Sequence, residues 1–375
     1  SYLSYQIEDF RKGNMDDYQT VQAALDSLPE NSTVQFANKT YTFSHTPFLE
    51  KTIHFLGPTT ITRENQIEYT LKESADGNSK YLVLNSTKGL IEADRLLVSL
   101  NKSNKGATAI NVAIKIIGDT VILNLPLGKT FGGDSYFPAG TDLFKNINFF
   151  WVISPYKYPD MSCSFTDIIF DGNRDNNEGT YTWNLNAAIV AVSTGTTTYK
   201  KCKFINSPNE SIVGSNADIE NCTFYKLNGS GFHTSADKET LPENTIHSDI
   251  LNNTFENTNQ ILTSITGHSE GAITHSYSGG YYTASGNKFI NIGESVLGAM
   301  YPSTSIHDWG TSNITFKNNT IDGAGRMIYL IDTTTAGIIH DVYIGNNFIS
   351  NMPSHDYSAE LEIRPGIILE QESKK

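Results

Sequence analysis

The second half of the chain repeats one short pattern, and this repeat limits the possible folds more than any other feature. Six segments each end on a large apolar anchor residue, and successive anchors lie between 20 and 34 residues apart. The anchors are Phe204, Phe224, Phe255, Phe289, Ile321 and Ile349. A short unit that recurs in register is typical of a solenoid, in which each repeat packs against its neighbours.

Within each repeat, apolar and polar residues alternate in the way that predicts short strands. Five positions before the anchors stand mostly apolar residues: Tyr199, Ile219, Ile250, Ala284, Phe316 and Ile344. Two positions before the anchors stand only small residues: Cys202, Cys222, Asn253, Asn287, Asn319 and Asn347. We expect the small residues to stack as a ladder at one turn, because Asn tolerates left-handed φ and can hydrogen-bond the neighbouring coil. The pattern predicts an all-β fold, a parallel β-helix, over a β-sandwich, since the glycine turns of hairpins are missing.

A helix is predicted near the N-terminus, where the apolar spacing changes. Residues 16–28 place Val21, Ala24, Leu25 and Leu28 at helical intervals, and Pro29 ends the segment. Two short strands are predicted to follow, at 33–36 and 40–43.

This N-terminal segment resembles the start of the pectate-lyase-like β-helix superfamily, which includes phage tailspikes and polysaccharide depolymerases. The matching residues are Asp17, Val21, Gln22, Ala24, Leu25, Val34, Phe36, Thr40 and Tyr41. The Pro-x-Gly turn that is usual before Thr40 is missing, so the resemblance is to the superfamily and not to a subfamily. It implies a right-handed parallel β-helix whose open end is capped by the helix. It also implies a homotrimer and an extracellular or virion-borne location.

Residues from about 80 to 130 contain longer alternating strands, separated by Gly-Asp or Asn-Lys turns, that are typical of a small antiparallel sheet. Phage tail β-helix proteins often carry a similar insertion. We therefore expect three parts: a cap helix with the first coils at 1–80, an antiparallel β insertion at 81–150, and the main parallel β-helix at 151–375.

Composition excludes several classes of partner. With 27 Lys and Arg against 40 Asp and Glu, the net charge of −13 disfavours nucleic acid. No apolar run reaches membrane-spanning length.

We expect Cys163, Cys202 and Cys222 to be buried packing groups and expect no metal or other cofactor, since no zinc-type spacing is present. The loop at 171–178 has a calcium-like composition without EF-hand spacing, so a solvated acidic turn is the expectation and calcium the alternative.

The extra residues of the longer repeats predict where loops leave the scaffold. First strands of successive units are predicted at 212–213, 232–234, 261–263, 296–298 and 328–330, and the excess length at about 235–247, 264–281, 299–312 and 333–341. These loops would wall a groove beside one sheet, and long loops on a rigid scaffold commonly carry function.

The predicted loops hold many carboxylates, histidines and aromatic residues, a combination that suits a polysaccharide. Glycoside hydrolysis needs one protonated and one ionised carboxyl group, and consecutive coils lie roughly 4.8 Å apart. The candidate catalytic residues are Glu270, Asp308, Asp332 and His233. The candidate substrate-binding residues are Trp183, Arg174, His268, Tyr301, Trp309 and Arg326.

The favoured function is an endo-acting glycoside hydrolase that cleaves a bacterial surface or extracellular polysaccharide. A polysaccharide lyase would need a base and a cation, for which Arg326 is the nearest candidate, with Arg174, Lys238 and Arg364 further away. A non-catalytic carbohydrate-binding adhesin and a teichoic-acid phosphodiesterase stay open as further alternatives. The fold alone does not choose among them.

Overall fold

The computed structural model describes residues 4–99, 108–128, 136–152, 160–177, 189–191, 195–234, 247–259, 271–276, 281–300, 312–330 and 340–351. Its N-terminal part contains β1 (Ser4–Gln6), a 3-10 helix (Ile7–Phe10), α1 (Asp17–Ser27), β2 (Ser32–Gln35), β3 (Thr40–Phe43), β4 (Phe48–Leu49) and β5 (Ile53–Arg63). The next strands are β6 (Glu68–Thr70), β7 (Ala75–Asp76), β8 (Tyr81–Val83), β9 (Arg95–Ser99), β10 (Thr108–Ile117), β11 (Thr120–Leu123), β12 (Tyr136–Phe137) and β13 (Asp142–Asn146).

The remaining strands belong to the repeating part. They are β14 (Phe150–Val152), β15 (Ser164–Asp171), β16 (Ile189–Ala191), β17 (Thr197–Lys200), β18 (Lys203–Ile205), β19 (Ile212–Gly214), β20 (Ala217–Glu220), β21 (Thr223–Tyr225) and β22 (Phe232–Thr234). They continue as β23 (His247–Leu251), β24 (Thr254–Glu256), β25 (Gly271–Ser276), β26 (Tyr281–Ser285), β27 (Lys288–Met300), β28 (Ser312–Lys317), β29 (Thr320–Leu330), β30 (His340–Gly345) and β31 (Phe348–Ser350). A second 3-10 turn covers Arg174–Asn176.

Strands of successive coils pair in parallel and form three stacks. Sheet 1 contains β1, β2, β17, β20, β23, β26, β28 and β30, with the first halves of β5 and β15. Sheet 2 contains β3, β18, β21, β24 and β31, with the second halves of β5 and β15 and the first halves of β27 and β29. Sheet 3 contains β4, β14, β16, β19, β22 and β25, with the second halves of β27 and β29. The fold is the right-handed parallel β-helix that the sequence predicts.

Stacked aromatic rings fill the interior along sheet 2. The ring centroids of Phe204 and Phe224 lie 5.1 Å apart, those of Phe224 and Phe255 4.5 Å, and those of Phe255 and Phe289 4.9 Å. All four side chains are buried. The anchors of the sequence repeat are therefore one column of the core, in which each coil covers the ring of the coil before it.

The predicted ladder of small residues is confirmed at the turn between sheets 1 and 2. The side chain of Asn253 bonds that of Asn287 at 3.1 Å, and the series continues through Asn319 to Asn347. The left-handed φ falls one residue earlier than expected, for example at Asn252 with φ 58°. The ladder residues therefore contribute through the hydrogen bonds of their side chains, and the left-handed backbone conformation is contributed by the residue before them.

Helix α1 caps the N-terminal end, as predicted. Asp16 and Gln19 form reciprocal hydrogen bonds at its start, which satisfy backbone groups that the first turn would leave unpaired. Val21, Ala24 and Leu25 are buried in the same hydrophobic core as the first coils. No helix among the described residues is long and apolar enough to span a membrane.

The insertion forms an antiparallel sheet with the order β6-β13-β9-β10-β11-β8, beside a two-stranded pair of β7 and β12. It has a separate core that includes Leu82, Val98, Val121 and Leu143. The strands run from Glu68 to Asn146. The division of the chain at 1–80, 81–150 and 151–375 stays a prediction.

The predicted strand at 261–263 lies outside the described residues. Strand β22 pairs with β25, in which Ile273 lies beside Phe232, so a strand occupies part of the segment that was predicted to be a loop, 264–281. The extra residues of this coil therefore precede its sheet 3 strand as well as follow it. The predicted strands at 296–298 and 328–330 lie within β27 and β29.

Candidate functional site

The outer side of sheet 3 carries a row of side chains that are mostly buried. Strands β16, β19 and β22 bury every residue, so their outward side chains are buried like their inward ones. Parallel pairing places Trp151, Val190, Val213, His233 and Thr274 in register, one on each successive coil. We call these five residues the outer row. Neighbouring members lie about 4.8 Å apart along the stack.

A carboxylate meets an imidazole in the middle of the outer row. Glu210 lies in the turn before β19, and its Oε1 bonds Nδ1 of His233 in the next coil. Only 8% of the Glu210 side chain and 11% of the His233 side chain are exposed. Because the carboxylate engages Nδ1, it fixes the orientation of the ring. The pair has the arrangement of a general acid or base.

Buried hydroxyl groups continue the polar surface beyond His233. Ser230 Oγ and Thr274 Oγ1 lie 2.7 Å apart, and the backbone N–H of Gly271 donates to Thr274 Oγ1 at 3.0 Å. Thr274 is fully buried. These bonds hold the start of β25 against the coil that contains His233.

The insertion supplies a cation at the other end of the outer row. The guanidinium of Arg95, in β9, lies 3.8 Å from the ring centroid of Trp151. Burial lowers the pKa of Arg95 to about 10. The outer row therefore begins at a contact between the insertion and the β-helix.

Most of the predicted site residues lie outside the described residues. These are Glu270, Asp308, Asp332, Trp183, His268, Tyr301 and Trp309. The backbone of Arg326 lies in β29, in register with Ser295 of β27. For all of these residues, the assigned roles stay predictions.

Two predicted residues are described with their side chains. His233 follows the inward Phe232 on the outer side of β22, where it is buried and paired with Glu210. Arg174 donates from Nη1 to the backbone oxygen of Lys226 at 3.2 Å, and its Nε lies 3.6 Å from Asp175. The guanidinium of Arg174 therefore connects turns that lie two coils apart, and its role in substrate binding stays a prediction.

The sequence interpretation missed Glu210, Arg95 and Trp151. Glu210 lies in a short turn, whereas most residues predicted to form the site lie in long loops. The available signal was its position two residues before Ile212, where the next coils have Ser230 and Gly271. A carboxylate in a turn otherwise built from small residues is unusual enough to be a candidate.

Two places in the structure contain acidic side chains of the kind that bind metals. Asp171 Oδ1 accepts from the backbone N–H of Asn173 at 3.0 Å, so this carboxylate stabilises the predicted acidic turn. On sheet 1, potential ligand atoms of Asp218, His247 and Asp249 lie within 4.8 Å of one another. Burial raises the pKa of Asp218, and the charge of Asp249 adds to the effect. Exposed acidic groups commonly approach one another without a metal, and calcium stays an untested alternative.

Comparisons with known proteins find similarity of fold only. No protein family model matches the chain, and no curated protein matches it. The solved structure of PfbA, a surface adhesin of Streptococcus pneumoniae, is 13% identical, with 98% of this chain and 83% of that chain covered and a TM-score of 0.44. A family 28 exopolygalacturonase of Yersinia enterocolitica is 12% identical, with 99% and 78% covered and a TM-score of 0.42. The gp54 tailspike of Acinetobacter baumannii bacteriophage AP22, in complex with a capsular saccharide, is 9% identical, with 98% and 79% covered and a TM-score of 0.22.

Proposed function

We propose that the protein degrades a polysaccharide and that the Glu210–His233 pair takes part in the cleavage. The observation that carries this proposal is the pair itself, in which a carboxylate from the turn before β19 bonds an imidazole of β22 in the middle of the outer row.

The buried pair fits the proton transfers that cleavage of a sugar polymer requires. A positioned imidazole contributes general acid or base catalysis at neutral pH, because its ordinary pKa lies near 6.5. The carboxylate of Glu210 stabilises the imidazolium that forms when His233 takes up a proton. The low exposure of both groups strengthens this interaction, since water screens it less.

Hydrolysis is the reaction that the sequence favours, and it stays our first candidate. In that reaction the predicted carboxylates Glu270, Asp308 and Asp332 would protonate the leaving oxygen and activate water. His233 would then exchange a proton with one of these groups or with the attacking water.

β-Elimination on a uronate polymer is the alternative that the sequence leaves open. A lyase needs a base for the α-proton and a cation that neutralises the carboxylate of the same sugar. His233 with Glu210 would provide the base. Arg95 contacts Trp151, three coil steps or about 14 Å from His233, so it is too far away to supply this cation.

One experiment tests the proposal and separates the reactions. The purified protein is incubated with neutral, uronate-containing and teichoic-acid polymers, and released reducing ends, ultraviolet absorbance and phosphate esters are measured. Reducing ends without absorbance support hydrolysis, whereas rising absorbance supports β-elimination, since that reaction leaves an unsaturated uronate. Cleavage of teichoic acid alone would indicate the phosphodiesterase. Binding without any product would contradict the proposal and favour a carbohydrate-binding adhesin.

Two further expectations belong to the same proposal. A surface or extracellular polysaccharide as partner implies an extracellular or virion-borne protein. The homotrimer that the superfamily resemblance implies is tested by sedimentation equilibrium, where a mass near three times 41.4 kDa is expected.

A further inference from the structure

The first two positions of the ladder are occupied by cysteines instead of asparagines. Cys202 lies between β17 and β18, and Cys222 lies at the equivalent place between β20 and β21. Strand β17 pairs with β20, and β18 pairs with β21 in the same register, with Lys203 beside Thr223. The two cysteines are therefore directly opposite each other on neighbouring coils.

The two thiols are direct neighbours in the core. The ladder reaches them because the backbone N–H of Cys222 donates to Oδ1 of Asn253 at 2.8 Å. Burial raises the pKa of the Cys202 thiol well above its ordinary value, and a hydrogen bond with the thiol of Cys222 adds to the rise. Each sulfur also lies near a backbone oxygen of the preceding coil, Cys202 at 3.4 Å from that of Phe165 and Cys222 at 3.5 Å from that of Tyr199. A thiol is a weak donor, so these contacts are easily given up.

The spacing of the coils suits a covalent bond between these two cysteines. Opposite residues on paired parallel strands lie about 4.8 Å apart, and disulfides join Cα atoms that are about 4.4 to 6.8 Å apart. The third cysteine, Cys163, precedes β15, and its Sγ lies 3.7 Å from the backbone oxygen of Lys51. It is not a ladder residue, so the register selects Cys202 and Cys222 as the pair.

We propose that Cys202 and Cys222 form a disulfide between neighbouring coils when the protein folds in an oxidising environment, and that the structure shows the reduced form of this pair. The bond closes one complete coil into a ring, which contains β18, β19, β20 and the turn with Glu210. A covalent bond then fixes the rise of this coil, where the later coils use hydrogen bonds between asparagines. The inference does not depend on the proposed function.

The bond forms by exchange with a small disulfide such as glutathione disulfide. The thiolate of one cysteine attacks a sulfur of this oxidant and releases one glutathione, and the thiolate of the other then attacks the protein sulfur of the mixed disulfide and releases the second. The two cysteines lose two electrons, which reduce the S–S bond of the oxidant, and their two protons pass to the two glutathione molecules. Because burial keeps the Cys202 thiol protonated in the folded protein, the exchange takes place before the coil closes.

Counting thiols in the full chain tests the proposal. The protein is synthesised by cell-free translation with glutathione disulfide or with dithiothreitol, and free thiols are alkylated after denaturation. We expect three free thiols in the reduced protein and one, Cys163, in the oxidised protein. Trypsin cleaves after Lys201 and Lys203, so the disulfide should join peptide 202–203 to peptide 204–226, whereas Cys163 lies in peptide 158–174. Three free thiols in folded protein made with the oxidant, or a bond to Cys163, would overturn the proposal.

Variants then test whether the bond stabilises the coil. The oxidised wild-type protein should unfold at a higher urea concentration than the reduced protein, because the ring restricts the unfolded chain. Cys163→Ser should keep this difference and have no free thiol after oxidation. Cys222→Ala is the matched control, which should keep two free thiols and unfold at the same urea concentration with either reagent. Equal midpoints of the oxidised and reduced wild-type protein would contradict the stabilising role, and the thiol count of the wild-type chain decides on the bond if a variant does not fold.

Discussion

Asn287 donates a hydrogen bond from its side-chain Nδ2 to Oδ1 of Asn319, 3.1 Å away and one coil further along the β-helix. The same amide donates to the backbone oxygen of Ile250 at 2.8 Å, and its Oδ1 accepts from the backbone N–H of Asn253 at 2.9 Å. One buried side chain thereby satisfies polar groups of both neighbouring coils. The ladder therefore sets the register in which the coils stack.

Replacement of a ladder residue should weaken the stack measurably. Asn287→Ala leaves the N–H of Asn253 and the oxygen of Ile250 buried without partners, and we expect a loss of about 2 to 4 kcal/mol in the free energy of unfolding. Urea denaturation followed by circular dichroism measures the change. Asn78→Ala, at an exposed position in the insertion, is the matched control and should have no measurable effect. Equal losses in both variants would contradict the structural role of the ladder.

The ladder was predictable from sequence because it is local and repeated. A small residue, Cys or Asn, recurs two positions before each anchor, so the pattern can be recognised within one chain. The position of β25 was not predictable in this way, because extra residues can enter a coil before or after its sheet 3 strand. Only the pairing of Phe232 with Ile273 shows that extra residues enter this coil before its sheet 3 strand.

The site was harder to predict than the fold for a related reason. Glu210 and His233 come from successive coils, and their contact follows from the register of β19 with β22. The contact of Arg95 with Trp151 depends on how the insertion folds back onto the β-helix. Neither contact produces a repeating pattern in the sequence from which it could be predicted.

The N-terminal cap should lose stability in acid through Glu8. Its carboxylate accepts from Arg11 and Tyr41 and pairs with Lys39, and chiefly the bond with Arg11 lowers the pKa of Glu8 to about 2. Because the folded pKa lies below the ordinary value of 4.5, this stabilisation is complete above pH 4.5 and is lost as the pH falls to about 2.

Glu8→Gln tests this dependence. We expect a lower melting temperature at pH 7 and no difference from the unmodified protein near pH 2. The free-energy change at pH 7 should stay below about 1 kcal/mol, because the carboxylate is partly exposed and water screens the pairs. A difference of the same size at both pH values would contradict the ionic origin of the effect.

Asp218 on sheet 1 should destabilise the fold when it is ionised, whereas ionised Glu8 stabilises it. Burial raises the pKa of its carboxyl group, and Asp249 raises it further, so ionised Asp218 destabilises the fold at neutral pH. The penalty is complete above the raised pKa and absent below the ordinary value of 3.8. Asp218→Asn should therefore raise the melting temperature at pH 7 and not at pH 3. Asp175→Asn, at an exposed position, is the control and should change neither value. A lower melting temperature of Asp218→Asn at pH 7 would show that the carboxylate is stabilised by an attraction that outweighs burial.

The central claim is that Glu210 and His233 act together in cleavage of a polysaccharide, and the turnover of His233→Asn tests it most directly. His247→Asn is the matched control. The imidazole of His247 also lies near a carboxylate, 3.7 Å from Asp249, but both residues are on sheet 1 and His233 is on sheet 3. With the polymer that the wild-type protein cleaves, we expect His233→Asn to lower kcat by about 10² to 10⁴ with KM nearly unchanged, and Glu210→Gln to lower kcat by at least about tenfold. His247→Asn should retain full activity. Wild-type kcat in His233→Asn would contradict the claim.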